Sequence, residues 1–348
     1  MDTCFECDYY FGRSKRDIRQ MDTSFLRGRV VAVDNRGIGS GYYQPKVIRG
    51  SLNHRYDALL FLGETRCIST WIAVVLNRVL FPRRRIYFWS HGWYGKETRV
   101  ERRLKRIFFR LANGGSFLYG YYARDLMIKE GFAPDKLFVI HNSLDYDRQC
   151  EIRRSLYPCN IYKDHFSNDS RNLFFVGRLT PVKQLDLVLR AVALAKDRGV
   201  RWNLTLIGDG EMRDALKKLS LDLGIEEQVW FYGPCYDEEM LGTMIYNADV
   251  CVSPGNVGLT AMHSMVFGTP VITHDDFTMQ MPEYEAVREG ETGCFFQRGD
   301  VVSLAETVNR WFGLPGYDRE EIRRKCYAEI DHYWTPAFQM EVLKKHLV

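Results

Sequence analysis

A chain of 348 residues, 46% hydrophobic and 26% charged, is long enough for two domains with their own cores and too apolar for disorder. Its net charge of +4 is too mild to suggest a nucleic-acid partner, and none is expected. Nine scattered cysteines, an odd number, argue against a disulfide framework and suit reduced thiols in a cytoplasm.

The opening run MDTCFECDYYFGRSKRD has no apolar signal core, so a cytoplasmic location is expected. Cys4 and Cys7 form a CxxC, but no second Cys or His pair follows at zinc spacing, and no metal is expected. Arg29 to Val33 and Ala58 to Leu62 read as buried strands, Ile68 to Leu80 as a helix and Ile86 to Trp89 as the next strand. The apolar run Trp71 to Phe81, interrupted by Asn77 and Arg78, falls short of the roughly 20 residues that cross a membrane. Strands at Ser116 to Tyr119 and Leu137 to Ile140 flank a helix at Ala123 to Glu130. The triplet Asp145-Tyr146-Asp147 reads as a solvated loop, and the polar stretch Pro158 to Asn172 as a linker.

The second half repeats the alternation. Leu173 to Val176 is a strand, and the helix Gln184 to Asp197 puts Leu185, Val188, Leu189, Val192 and Ala195 on one face before stopping at Gly199. Further strands are expected at Leu204 to Ile207, Val229 to Tyr232, Val250 to Val252 and Val271 to Thr273. Strands and helices taking turns imply α/β domains with parallel sheets, whose ligands sit beyond the carboxyl ends of the strands. The domains are read as 1–160 and 161–330, with a closing helix over 331–348.

One segment carries chemistry by its residue types. After the strand LFFV come Gly177, Arg178 and, five residues on, Lys183, leading into a helix. Glycine permits a sharp turn, and two cations at a helix N-terminus make an anion site suited to a diphosphate. A plain turn with two solvated bases is the other reading. Gly208-Asp209-Gly210 also follows a strand, but Arg213 stands where a dinucleotide fingerprint has its last glycine, so a tight turn is favoured there.

Five segments in order, FFVGRLTPVKQLDLVLRA, LTLIGDGEMRDAL, VWFYGP, ADVCVSPGNVGLTAMHSMVFGTPVI and the late ETG, make Leu173 to Phe296 resemble the retaining family 4 glycosyltransferases. The resemblance implies a GT-B fold, two Rossmann-like α/β domains facing across a cleft, with the C-terminal helix returning to the first. It implies that Arg178 and Lys183 grip the diphosphate of a nucleotide-sugar donor. Gly177 and Gly208 would lie beside it, Gly233-Pro234 near the base, and Gly255, Asn256, Val257, Gly258 and Leu259 along the donor sugar. Ser90-His91-Gly92 matches the family's cleft histidine near that sugar, and His141-Asn142-Ser143 matches a structural asparagine turn.

Two features depart from the family. Cys7 to Phe11 resembles its second strand with no glycine-rich loop ahead of it, so the acceptor-side domain reads as short at its front. The family's paired glutamates are replaced by Gly255 and His263. A neutral histidine can offer a ribose one hydrogen bond, donated or accepted, where a carboxylate accepts from two ribose hydroxyls, which opens the way to deoxyribose donors. Packing of His263 beneath the loop is the alternative.

The implied reaction is transfer of a sugar with retention to a glycan or lipid-linked acceptor, in polysaccharide or glycolipid synthesis, with no cofactor and no metal. A catalytically inactive sugar-nucleotide binder and a GT-B-like epimerase are the alternatives. Finally, Lys96 to Leu111 places Val100, Leu104, Ile107, Phe108 and Leu111 on one helical face and carries seven cations against Glu97 and Glu101. It reads either as a core-packed helix or as a peripheral contact with the inner face of a membrane.

Overall fold

The computed structural model describes residues 4–12 and 22–347. The chain separates into two compact units, residues 1–140 with 339–348, and residues 141–338.

The first unit opens with strands β1 (Tyr9–Gly12) and β2 (Val30–Val33), paired in parallel. A hairpin of β3 (Arg36–Ile38) and β4 (Gly41–Tyr43) follows, then helix α1 (Pro45–Ser51). The main sheet runs β5 (Ala58–Leu62), β6 (Arg85–Ser90), β7 (Gly115–Leu118) and β8 (Leu137–Val139), parallel and in chain order. Helices α2 (Ile68–Leu80), α3 (Arg99–Arg110) and α4 (Tyr121–Lys129) make the crossovers. Right-handed crossovers between neighbouring strands taken in order put all three helices on one face. Alternation along β6 divides the core accordingly. Ile86 and Phe88 face Val74, Phe108, Phe109 and Met127, whereas Tyr87 and Trp89 face Phe117, Ile140 and Leu343 from the C-terminal segment.

The second unit begins with α5 (Tyr146–Ser155) and α6 (Ile161–Phe166). Both correct the sequence reading. Asp145 and Asp147 flank the start of a helix rather than lying in an open loop, and the expected linker contains a helix whose Tyr162 and Phe166 are buried. Two aromatic anchors outweigh the polarity around them. The segment 141–160, expected in the first domain, packs with the second unit.

Six parallel strands follow: β9 (Arg171–Val176), β10 (Trp202–Ile207), β11 (Val229–Gly233), β12 (Val250–Ser253), β13 (Val271–His274) and β14 (Gly293–Phe296). Their spatial order is β11-β10-β9-β12-β13-β14. That is the 3-2-1-4-5-6 order of doubly wound nucleotide-binding sheets, which reverses direction between the first and fourth strands. Strand β14 was not anticipated from the sequence. Helices α7 (Leu185–Asp197), α8 (Arg213–Asp222), α9 (Glu238–Asn247), α10 (Leu259–Val266) and α11 (Val301–Phe312) connect and cover the sheet. All five apolar residues expected on the inner face of α7 are buried. Helix α12 (Arg319–Tyr333) packs on α10. In the last helix, α13 (Pro336–His346), the boundary between units falls after Phe338.

Candidate functional site

In a sheet of this order the loops leaving the two strands at the reversal diverge, and the space between them is the natural ligand position. Here those strands are β9 and β12, paired through Leu173–Val250 and Phe174–Cys251. Their outgoing loops hold Gly177 to Lys183 and Pro254 to Gly258. The segments that the sequence singled out for the donor therefore meet at the reversal of one sheet.

Backbone packing there leaves no room for side chains. Gly208 has φ 145°, and a Cβ on it would lie 1.9 Å from the Gly177 carbonyl oxygen. Its N–H donates to the Gly233 carbonyl at 2.8 Å, and the Gly177 N–H donates to Ile207 at 3.0 Å, so the ends of β9, β10 and β11 are locked together. Pro234 is exposed just beyond.

The turn after Gly177 differs from the expected direct entry into a helix. Pro181–Lys183 forms a 3-10 turn, and Gln184 takes a left-handed conformation (φ 50°) before α7 starts. A non-glycine residue held there stores strain of order 1 kcal/mol. Arg178 is exposed, but Lys183 is half-buried, unlike the solvated base of the plain-turn reading. Its Nζ donates to the Asn256 carbonyl at 2.7 Å and to Asn256 Oδ1 at 2.9 Å. Burial draws its ammonium below the ordinary lysine value; Glu283 opposes that shift and Arg178 adds to it.

Gly255 has a structural reason to be glycine. A Cβ at this position would fall 2.0 Å from the Val182 carbonyl oxygen, and its N–H donates to the Lys183 carbonyl at 2.9 Å. The 3-10 turn thus occupies the space a glutamate would need, and the Gly255 N–H is committed to the protein. The Val257 N–H is committed too, to Gln280 Oε1 at 2.9 Å. The N–H groups of Asn256, Gly258 and Leu259 make no hydrogen bond among the described residues. They sit at the start of α10, whose first turn is tied to the end of β9 by Thr260 Oγ1 donating to Val176 at 2.9 Å. Such N–H groups at a helix start can donate to an anion or a sugar oxygen.

His263 lies one turn into α10, half-buried, with its Nδ1 3.3 Å from Gln149 Nε2. Burial pushes its pKa down to about 4, so it is neutral at physiological pH. With Nδ1 accepting from the Gln149 amide, the other ring nitrogen keeps its proton as a donor.

Sequence reasoning passed over two buried side chains here. Gln280 accepts from Val257 and donates to Thr273 Oγ1 at 2.8 Å and to the His274 carbonyl at 3.0 Å, holding the loop after β12 from beneath. Glu283, 2% exposed, accepts from Asn142 Nδ2 at 2.9 Å. Burial raises its pKa, while Asn142 and the Lys183 charge pull it back. An isolated Gln and Glu in TMQMPEYE carry no spacing signal. Asn142 therefore has the structural role expected of its turn.

His91 belongs to the first unit and follows β6. Its ring packs against Tyr119 at 4.7 Å, and burial, with the Lys105 charge, lowers its pKa. The loop is stapled by Glu97, which accepts from Tyr94 N–H at 2.7 Å and pairs with Lys105 at 2.7 Å, while Lys105 also donates to the Gly92 carbonyl. Among the described residues no group of three or more His, Cys, Asp or Glu side chains is placed to hold a metal, and no helix is long and apolar enough to cross a membrane.

Residues 160–329 match the family of glycosyl transferases group 1. A D-inositol 3-phosphate glycosyltransferase of Thermomonospora curvata is 34% identical over 169 residues, 45% of this chain and 36% of that protein. An exopolysaccharide phosphotransferase of Streptomyces coelicolor is 27% identical over 188 residues, 53% of this chain and 19% of that protein. The match thus spans well under two thirds of these relatives. Among solved structures, the Anabaena protein Alr3699/HepE in complex with UDP superposes with a TM-score of 0.69 at 17% identity, over 91% of this chain and 85% of that one. The lipopolysaccharide outer core galactosyltransferase WaaB gives 0.69 at 16% identity, over 95% and 87%. The glycosyltransferase GT-B fold expected from the resemblance is therefore the fold of the chain.

Proposed function

We propose that the chain transfers a sugar, with retention of configuration, from a nucleoside-diphosphate sugar to a hydroxyl of a glycan or lipid-linked acceptor in the cytoplasm, as a retaining family 4 enzyme does. The observation that carries this reading is the convergence, at the reversal between β9 and β12, of Arg178, Lys183 and the uncommitted N–H groups of Asn256, Gly258 and Leu259. In the step proposed, the bond from the anomeric carbon to the phosphate oxygen breaks and the diphosphate leaves with the electron pair. The acceptor oxygen bonds to that carbon from the same face, and its proton passes to the departing phosphate. Arg178 and Lys183 supply the positive charge that stabilises the leaving group. Partial burial strengthens Lys183 in this role by keeping water away. His91, neutral in its buried setting, serves as a hydrogen-bonding group rather than a cation.

Replacing Lys183 with Ala is expected to lower turnover on the order of a hundredfold, the usual loss when a preorganised charge partner goes. Folding is to be followed alongside, because the lysine also holds Asn256. A folded and fully active K183A protein would disprove the assignment. A second reading, a sugar-nucleotide binder without catalysis, is favoured by one observation: position 255 has no space for a carboxylate. Release of free sugar from the donor by the wild-type protein excludes that reading, and donor-induced thermal stabilisation with no release supports it.

A further inference from the structure

We infer that the outer sides of α2 and α3 together form a docking surface for an anionic lipid bilayer. The inference rests on where the apolar residues of the two helices point. On α3 the inward positions are Phe108 and Phe109, both buried. Val100, Leu104 and Ile107, which the sequence places on the Phe108 face, are 76%, 48% and 49% exposed. At 100° per residue these three lie within about a sixth of a turn of one another, rotated off the buried side. Helix α2 repeats the arrangement. Val74 is buried, while Ile72, Val75 and Val79 occupy a similarly narrow arc and are 38%, 46% and 73% exposed.

The two arcs border the same seam. Trp71 of α2 meets Phe108 of α3 with ring centroids 4.7 Å apart. On the helical wheel Trp71 lies between Val74 and Val75, and Phe108 lies between Phe109 and Leu104. Each apolar arc therefore begins where the helices touch and opens outward from there. The result is one aliphatic surface built by two helices rather than a stripe on one.

Charge selects the occupant. Arg99 and Arg103 run along the crest of α3 beside the apolar arc, exposed, and form no ion pair among the described residues. Arg102 and Arg106, on the far flank, are paired with Glu130. The two carboxylates of residues 96–111 are both engaged, Glu97 by Lys105 and Glu101 in the capping box with Thr98. What faces outward is thus aliphatic surface edged by uncompensated arginine, complementary to acyl chains beneath anionic headgroups. The exposed arcs contain no aromatic anchor of the kind that dominates protein–protein contacts. The inference extends the function proposed above, since it names where a lipid-linked acceptor is met, but a different measurement decides it.

The test is flotation of the full chain with vesicles of phosphatidylcholine alone and with an equal share of phosphatidylglycerol. The protein should float with the anionic vesicles only, and added salt should release it. Three variants follow: Leu104→Glu with Ile107→Glu, Arg99→Glu with Arg103→Glu, and Val79→Glu. Each should lower the vesicle-bound fraction at least about fivefold, as the loss of one surface charge contact does. Because all five positions are exposed, thermal stability and sugar release from a soluble donor should not change. Equal recovery with both kinds of vesicle overturns the inference, as does wild-type binding by Val79→Glu. So does a vesicle-independent dimer that the Leu104→Glu, Ile107→Glu protein no longer forms, which would assign the surface to a second copy of the chain. Loss of sugar release with flotation intact would count against the proposed reaction alone.

Discussion

The two units use the same strand–helix alternation to different ends. In the second unit the sheet reverses direction in its middle, so the loops after β9 and β12 part and leave a ligand position between them. In the first unit β5 to β8 stand in chain order, so that sheet has no such reversal. Its three crossover helices crowd one face, and the opposite face is left for the C-terminal segment to cover. The difference teaches that a ligand site comes with topology, whereas the outside of a helix layer is free to acquire other uses. It also explains why familiar motifs fill one unit and thin out in the other. Backbone approaches such as Gly208 on Gly177 restrict residue types, and an aromatic core requires only that its volume be filled.

Three substitutions sharpen this contrast, from the largest expected effect to the smallest. Phe108 joins α3 to the sheet by stacking on Phe88 at 4.4 Å. Phe108→Ala should cost about 3–5 kcal/mol of stability, read from urea unfolding. A loss under about 1 kcal/mol would mean that the helix-covered face of the sheet lacks the packed core described. In the second unit Gly255→Ala should cost about 1–3 kcal/mol, since its Cβ meets a backbone carbonyl that cannot swing aside. A neutral result would show that the Val182–Lys183 turn yields easily, and Gly255→Glu would then be worth making to restore the carboxylate of the family.

The third substitution concerns His263, whose pKa near 4 lies below that of an unfolded histidine near 6.5. Between these values the unfolded chain binds more protons than the folded one, so stability should rise as pH goes from about 4 to about 6.5. His263→Gln should flatten that rise, as seen in melting temperature against pH. An unchanged profile would place the titration elsewhere, His274 being shifted in the same direction. The same variant, assayed with uridine- and thymidine-linked forms of one accepted sugar, tests the ribose reading: an unchanged preference for the uridine form counts against it.

Most elements were legible because alternation and helical period are local. Ala58–Leu62 and Ile68–Leu80 have the bounds expected of them, and the segments expected to hold a donor, picked out by their order along the chain, meet at the reversal of the second unit's sheet. What escaped detection depended on surroundings. The spacing of Val100, Leu104, Ile107 and Phe108 marks a face, but not which side of that face the sheet covers. The exposure of Lys183 could not be read either, because Asn256 reaches it from a loop 73 residues away. The N-terminal signal reading covers residues 1–3 and 13–17, which lie outside the described residues.

The C-terminal segment gives the first unit a delayed completion during synthesis. Leu343 is 2% exposed within the cluster of Tyr87, Phe117 and Ile140, and Met340 and Val342 pack beside it. A ribosome that has finished Ile140 must still make the whole second unit before those side chains exist. At ordinary elongation rates that interval is roughly 10–40 s. Throughout it one face of the β5–β8 sheet lacks its cover, while the second unit emerges as a continuous stretch and can close its own core at once. The nascent chain should therefore mature in reverse order of its codons, the second unit ahead of the unit translated first, with Tyr87 and Phe117 as the surface a chaperone would hold meanwhile.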